Sequence, residues 1–308
     1  MLAVDGSSLA GRVAIVTGAA RGLGRAHALE LAREGACVVV NDIGVALDGS
    51  PGSPTAADEV VAEITSNGGS AAANTDDVSD FESARRLVDF AVGQFGRLDA
   101  VVNNAGVVRD RMFVNASEDE WDTVFRVHAK GHFAVSRWAA SYWRDRSKAG
   151  EQVDARIVNT TSGAGLLGSV GQAAYSAAKA AIASMTLVEA AELARYGVTA
   201  NAIAPSARTR MTESVFAEMM AAPTDPTSFD QMAPENVSPL VAFLCSAASR
   251  AVTGRVFEVE GGRITVMRGW QRGPTVDKGA RWEPTELRAV LGGLLASASP
   301  DHPVYGAS

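Results

Sequence analysis

The sequence predicts an α/β fold: a Rossmann-type, doubly wound, seven-stranded parallel sheet in a single domain with a C-terminal extension. Three observations predict it. Short β-branched runs alternate along the chain with longer stretches of helical period. The second such run, residues 36–41, is almost uninterrupted in apolar residues, as expected of a strand covered on both faces. A glycine-rich turn, Thr17-Gly-Ala-Ala-Arg-Gly-Leu-Gly24, joins the first strand to the first helix.

The elements follow in order. Residues 12–17 read as a strand, 22–34 as a helix, 36–41 as a strand, 55–66 as a helix and 70–74 as a weak strand. The helix over 79–95 opens with Ser79 as N-cap and Glu82 as its capping-box partner. Residues 98–103 form a strand, and a second capping box, Ser117 with Glu120, starts a long helix that ends near residue 147. Strand 155–160, helix 172–195, strand 198–203, helix 234–246 and strand 255–259 complete the alternation. Residues 48–54 are a turn-rich surface loop, and 205–233, weakly periodic and bearing prolines, are a mobile flap. The expected organisation is a nucleotide-binding domain over 1–265 and an extension over 266–308. That extension has one helical stretch near 284–296 and packs on the body or on a partner subunit.

Composition narrows the function. With 47% hydrophobic and 20% charged residues, the chain has enough apolar surface to fold. A net charge of −7 without a basic block argues against nucleic acid as the partner. No apolar run approaches the roughly 18 residues a membrane span needs. The N-terminus lacks the basic and apolar regions of a signal peptide. Cys37 lies in a strand-like run, so it and Cys245 are expected as reduced thiols in a cytoplasmic protein. No metal site is expected.

The glycine turn fits a dinucleotide pyrophosphate. Gly18 permits the tight turn. Gly22 and Gly24, with Arg21 and Leu23 between and beside them, let backbone, phosphate and helix N-terminus approach one another. Asp42 ends the second strand. A carboxylate there accepts from ribose hydroxyls and repels a 2′-phosphate, which favours NAD over NADP, with Arg21 as the opposing signal.

Tyr175 and Lys179 share one helical face at a spacing of four, and Ser162 follows the strand over 155–160 at the carboxyl edge of the sheet. An ammonium beside a phenol favours phenolate, turning a group of ordinary pKa about 10 into a usable base. A serine hydroxyl can orient a substrate oxygen. A small hydroxy or keto compound is the expected substrate.

These motifs, with Asn103-Asn-Ala-Gly106, resemble those of the short-chain dehydrogenase/reductase family over residues 9–262. The resemblance implies that Tyr175 is the general acid/base, that Lys179 holds the nicotinamide ribose and lowers the Tyr175 pKa, and that Ser162 orients substrate. It also implies adenine contacts at Asp77 and Val78, a supporting loop at Asn104, Ala105 and Gly106, and nicotinamide contacts near Pro205 and Thr209. His128 stands in Val127-His-Ala-Lys-Gly131 where the family has an Asn that helps hold a proton-relaying water. It either takes over that relay or is a core histidine bonded to backbone. Val127-His128, the loop after Val40-Asn-Asp42, and the Pro234-Glu-Asn-Val-Ser-Pro-Leu-Val241 run are similar to the dehydrogenase domain of peroxisomal multifunctional β-oxidation enzymes and free-standing actinobacterial relatives. That likeness implies NAD-dependent oxidation of 3-hydroxyacyl-CoA thioesters. Alternatives are a hydroxysteroid dehydrogenase, a 3-oxoacyl thioester reductase, and a non-catalytic dinucleotide sensor. Arg109, Arg111, Arg208 and Arg210 are candidates for coenzyme A phosphates. Met112, Phe113, Met211, Phe216, Met219 and Met220 could wall an acyl chain. The resemblance implies a homodimer or homotetramer, with Trp138, Tyr142 and Trp143 at the interface.

Overall fold

The computed structural model describes residues 8–44, 55–209, 220–225, 227–299 and 302–306. One sheet runs through it in the order β3-β2-β1-β4-β5-β6-β7-β8. The strands are β1 Val13–Thr17, β2 Cys37–Asn41, β3 Ser70–Asn74, β4 Ala100–Asn103, β5 Ala155–Thr160, β6 Val198–Ser206, β7 Val256–Glu260 and β8 Arg263–Met267. The first seven pair in parallel. The order reverses beside β1, so a crevice opens between the β1 and β4 loops at the carboxyl edge.

Two cores explain why the strands read as unbroken apolar runs. Alternate residues project to opposite faces. Ala14, Val16, Val38, Val40 and Val102 pack with Leu31 of α1 (Gly22–Arg33), Ile64 of α2 (Ala56–Ser66) and Leu244 of a late helix. Ile15, Val39, Val101 and Ile157 pack on the other face with Leu87 of α3 (Phe81–Phe95) and Val135 and Trp143 of α5 (Gly131–Lys148).

The eighth strand was not expected. It is antiparallel to β7, with Glu260 opposite Arg263 across a two-residue turn where Gly261 takes φ of 54°. Its side chains are mostly exposed, so the strand shows little burial pattern in sequence. The sheet thus continues beyond residue 265. Helix α3 is capped by Asp80, which accepts from the Ser83 amide at 2.7 Å, and not by Ser79, whose hydroxyl accepts from Arg126 at 2.9 Å. The Ser117–Glu120 box does form, at the head of α4 (Glu118–Phe125). The long helix is then interrupted by a π-helical turn, Arg126–Lys130, before α5 (Gly131–Lys148) continues. Helices α6 (Gly163–Leu167) and α7 (Ala173–Leu193) follow β5, α8 (Ser238–Cys245) precedes β7, and α9 (Pro284–Ser297) buries no residue.

Trp143 is not an interface residue. It is 1% exposed, and its indole donates to the Leu98 carbonyl at 2.7 Å. Trp138 donates to the Phe81 carbonyl at 2.9 Å and carries the Arg137 guanidinium over its ring at 4.1 Å. The Tyr142 hydroxyl accepts from Arg146. The loop over 48–54, together with Arg210, Met211, Phe216 and Met219, lies outside the described residues. Among the described residues no helix is long and apolar enough to cross a membrane, and no cluster of His, Cys, Asp and Glu could hold a metal.

Between β4, β5, α5 and α7 lies a polar chain. Asn103 donates to Ser136 and to Asn159, both at 2.9 Å, and Asn159 donates to Glu189 at 2.7 Å. Burial raises the Glu189 pKa from 4.5 to about 7. The folded state therefore holds a proton that the unfolded chain releases. The resulting stability is complete below 4.5 and lost as pH rises through about 7. Glu189→Gln keeps an acceptor for Asn159 and removes the titration. Relative to this variant, the wild-type melting temperature is expected to fall by about 2–4 °C between roughly pH 5 and 8. Parallel melting curves would reject the protonated carboxyl.

Candidate active site

The β1–α1 turn meets the end of β4 closely. A Cβ on Gly24 would overlap the Gly18 carbonyl oxygen, and one on Gly18, which has φ of 63°, would lie 2.8 Å from the Ala105 Cα. No side chain caps the N-terminus of α1, and its first turn has no acidic residue. Free amides and the helix dipole therefore face the crevice, an arrangement suited to a pyrophosphate.

The crevice has a volume of about 520 Å³. Gly18, Arg21, Gly22, Leu23, Gly24, Asp42, Asp77, Val78, Asn104, Ala105, Gly106 and Thr209, all singled out in sequence, line it. Tyr175, Lys179 and Pro205, also expected at the cofactor, are not among its lining residues. Pro205 sits inside β6, paired with Val259, because that strand runs three residues further than expected. The Asp42 carboxylate ends β2 and accepts from the Ala20 amide at 3.0 Å and the Gly44 amide at 2.8 Å. Glu59 and Glu63 of α2, and Asp76, also reach the crevice. Their spacing of four on one helix was a legible signal that sequence reading passed over. Glu63 pairs with Arg25.

Ser162, Tyr175 and Lys179 converge at the ends of β5 and α7. Ser162 caps α6, accepting from the Ala164 amide at 3.2 Å, and its hydroxyl pulls the Tyr175 pKa down. The Lys179 ammonium lies 5.6 Å from the Tyr175 ring centre and donates to the Thr160 carbonyl at 2.7 Å. Burial draws its pKa from 10.5 down to about 7. Burial also raises the Tyr175 pKa, against the pull of the Ser162 hydrogen bond. In the protein alone, desolvation thus outweighs the effect expected of Lys179 and holds the phenol neutral.

His128 sits in the π-helical turn, buried, with its ring edge-on to Tyr175 at 5.3 Å between centres. Its Nε2 lies 2.7 Å from the Val107 carbonyl and 3.1 Å from the Val107 amide; the shorter contact puts the proton on Nε2. Burial holds the imidazole pKa well below 6.5, so the ring is neutral. A Cβ on Gly106 would overlap this ring, which explains the glycine at that place.

Asp110 was missed. It accepts from Gln172 at 3.0 Å, burial raises its pKa, and its charge acts on Tyr175. Nothing local marks it, because the fold alone brings residue 110 to residue 172. Of the candidate phosphate ligands, Arg111 is paired with Glu120 at 2.9 Å, Arg208 with Asp230, and Arg109 donates to the Val108 carbonyl. Met112 and Phe113 are exposed and Met220 is buried.

A family model for short chain dehydrogenases matches residues 12–220. The hydroxyacyl-CoA dehydrogenase ChsB1 of Mycobacterium tuberculosis is 49% identical over 300 residues, 96% of this chain and 92% of that protein. The peroxisomal multifunctional enzyme type 2 of Mus musculus is 44% identical over 262 residues, and the match covers 85% of this chain but only 33% of that protein. The crystal structure of a short chain dehydrogenase from Mycobacterium avium is 62% identical. It superposes with a TM-score of 0.88 over 97% of this chain and all of that one.

The Gly18–Gly24 contact predicts that Gly24→Ala costs about 1–3 kcal/mol in stability and weakens dinucleotide binding at least roughly tenfold, about 1.4 kcal/mol. Chemical denaturation and NADH fluorescence titration measure the two, and unchanged binding would refute the contact's role. The family match, these identities and the shared sheet make the chain a member of the short-chain dehydrogenase/reductase family, an oxidoreductase that binds a nicotinamide dinucleotide.

Proposed function

We propose that this protein oxidises the secondary alcohol of 3-hydroxyacyl-CoA thioesters with NAD. One juxtaposition carries the reading: Ser162, Tyr175 and Lys179 meet beside a crevice shaped for a dinucleotide. The similarity to ChsB1, a hydroxyacyl-CoA dehydrogenase, supports the thioester as substrate.

When bound, NAD supplies the hydride acceptor and a positive charge that favours the phenolate. Ser162 donates its single hydroxyl proton to the substrate oxygen as it becomes a carbonyl. Tyr175 takes the hydroxyl proton on its phenol oxygen. Lys179, with a pKa of about 7, holds or releases a proton near neutrality and so drains or refills Tyr175. His128 carries no charge and has its Nε2–H committed to Val107, so its task is to position the Tyr175 ring. Asp77 and Val78 hold adenine, Asn104, Ala105 and Gly106 steady the crevice floor, and Thr209 meets the nicotinamide amide.

NAD is favoured over NADP by charge. The Asp42 carboxylate stands just past the end of β2, and Glu59 and Glu63 also line the crevice. A doubly charged 2′-phosphate would meet these acids, and Arg25 is already paired with Glu63. A homodimer or homotetramer is supported by the exposed Phe133 of α5 and Leu187 and Val188 of α7. Free thiols at Cys37 and Cys245 fit a cytoplasmic protein.

Two measurements test the reading. Tyr175→Phe is expected to lower kcat for 3-hydroxyacyl-CoA oxidation by about 10²–10⁴ while NADH binding stays within about twofold, since only the phenol proton carrier is lost. Retained turnover would refute the assignment. Asp42→Ala is expected to lower the NAD to NADP ratio of kcat/KM at least about tenfold, measured by initial rates with each cofactor. An unchanged ratio would remove Asp42 from cofactor choice.

A further inference from the structure

The chain does not end at the sheet. After β8 it passes through α9, which buries nothing, and then returns to the catalytic edge. There Tyr305 forms a parallel bridge to Ser169. The Val170 amide donates to the Tyr305 carbonyl at 2.9 Å, and the Tyr305 amide donates to the Gly168 carbonyl at 3.2 Å. The segment so joined, 168–170, lies in the short connection between Ser162 and Tyr175.

The side chains close on the same place. A Cβ on Gly163, the residue after Ser162, would lie 3.0 Å from the Tyr305 hydroxyl and 3.1 Å from its ring. A Cβ on Gly168 would lie 3.3 Å from Val304. These two small residues leave the room that the tail occupies. Burial and the carboxylates of Glu258 and Glu260 raise the Tyr305 pKa. Tyr305 is nevertheless 45% exposed, Val304 42% and Val170 46%, so one apolar face of this seam stays open. Met112, 56% exposed, has its sulfur 3.9 Å from where a Cβ on Gly171 would be, which extends that face toward the other side of the connection.

We infer that Val304 and Tyr305 form a wall of this chain's own substrate site and set which acyl groups it accepts. The inference rests on the thioester reading above. The apolar face begins one residue from the serine that would hold the reacting oxygen. Whatever extends from the carbinol carbon on that side must run along Tyr305. Of the two arms of a 3-hydroxyacyl thioester, the hydrocarbon suits this face, because the open surface there is Val, Tyr and Met.

The test compares wild type, Tyr305→Ala and a chain ending at residue 301. Initial rates of NAD reduction are read with thioesters from 3-hydroxybutyryl-CoA to 3-hydroxyhexadecanoyl-CoA, and hydrogen exchange is followed at residues 163–172. Both variants are expected to keep kcat/KM for the shortest substrate within about twofold and to lose about tenfold for the longest, the scale of a lost apolar contact. The shortened chain is also expected to lose protection at the Val170 amide. An equal change along the series, or none, overturns the wall, and unchanged protection at Val170 overturns the docking. Mixed oligomers of the shortened chain with full-length Tyr175→Phe separate self from neighbour, and recovered long-chain selectivity there overturns action within one chain. If wild type oxidises no thioester, the thioester reading fails. The same variants are then read on secondary alcohols of increasing bulk that wild type does oxidise. Altered size selectivity there supports the wall, and unaltered selectivity overturns it.

Discussion

The β1 and β4 loops are stitched together by few atoms, and the rest of the site hangs from that stitch. The Asn104 side chain donates to the Thr17 and Gly18 carbonyls at 3.0 and 3.1 Å, while the Thr17 hydroxyl accepts from the amides of Asn104 and Ala105 at 2.9 and 3.1 Å. A parallel sheet has no hydrogen bonds to offer past its strand ends, so loops at a switch point must find their own partners. Here the side chains of Thr17 and Asn104 supply them. The contact works only because Gly18 and Gly24 present no Cβ. It holds the α1 N-terminus open toward the crevice and fixes the loop on which Gly106 and Val107 receive His128.

From that frame the electrostatics of the site follow. Tyr175, Lys179 and His128 all lose water, and each responds by moving toward its neutral form. Tyr175 and His128 are thus stored uncharged beside the crevice, and Lys179 is brought to the point where it exchanges its proton near neutral pH. The arrangement suits a site completed by a positively charged ring, because the incoming charge then decides where the proton resides. It also assigns different work to two residues of similar burial. Lys179 stays close enough to neutral pH to exchange protons, whereas His128 is too far below it and acts through shape.

Much of this site was legible in sequence because its residues are locally encoded. The glycine turn, Asp42 at a strand end, and Tyr175 with Lys179 at one helical turn each need only their own element to be placed. The misses share a different cause. Asp110 meets Gln172, and Arg126 takes the Ser79 hydroxyl away from its capping role, through contacts between distant segments. The π-helical turn at Arg126–Lys130 replaced an expected continuous helix, and no glycine or proline within it signalled a break. Trp143 was expected at a subunit interface because the family resemblance implies assembly through its helix, yet packing against α3 draws it inside.

The sequence by itself determined the parallel sheet, the dinucleotide crevice and the Ser162, Tyr175, Lys179 set, because strand periodicity, glycine geometry and helical spacing are short-range properties of the chain. Only the tertiary structure decided the antiparallel β8, the direction in which Tyr175 and Lys179 titrate, and the return of Val304 and Tyr305 to the loop between two catalytic candidates. The titration depends on desolvation and the tail's return on pairing between residues more than a hundred positions apart, both of which exist only once the chain has closed on itself, while β8, a hairpin partner of β7, carries too little burial to mark it in sequence.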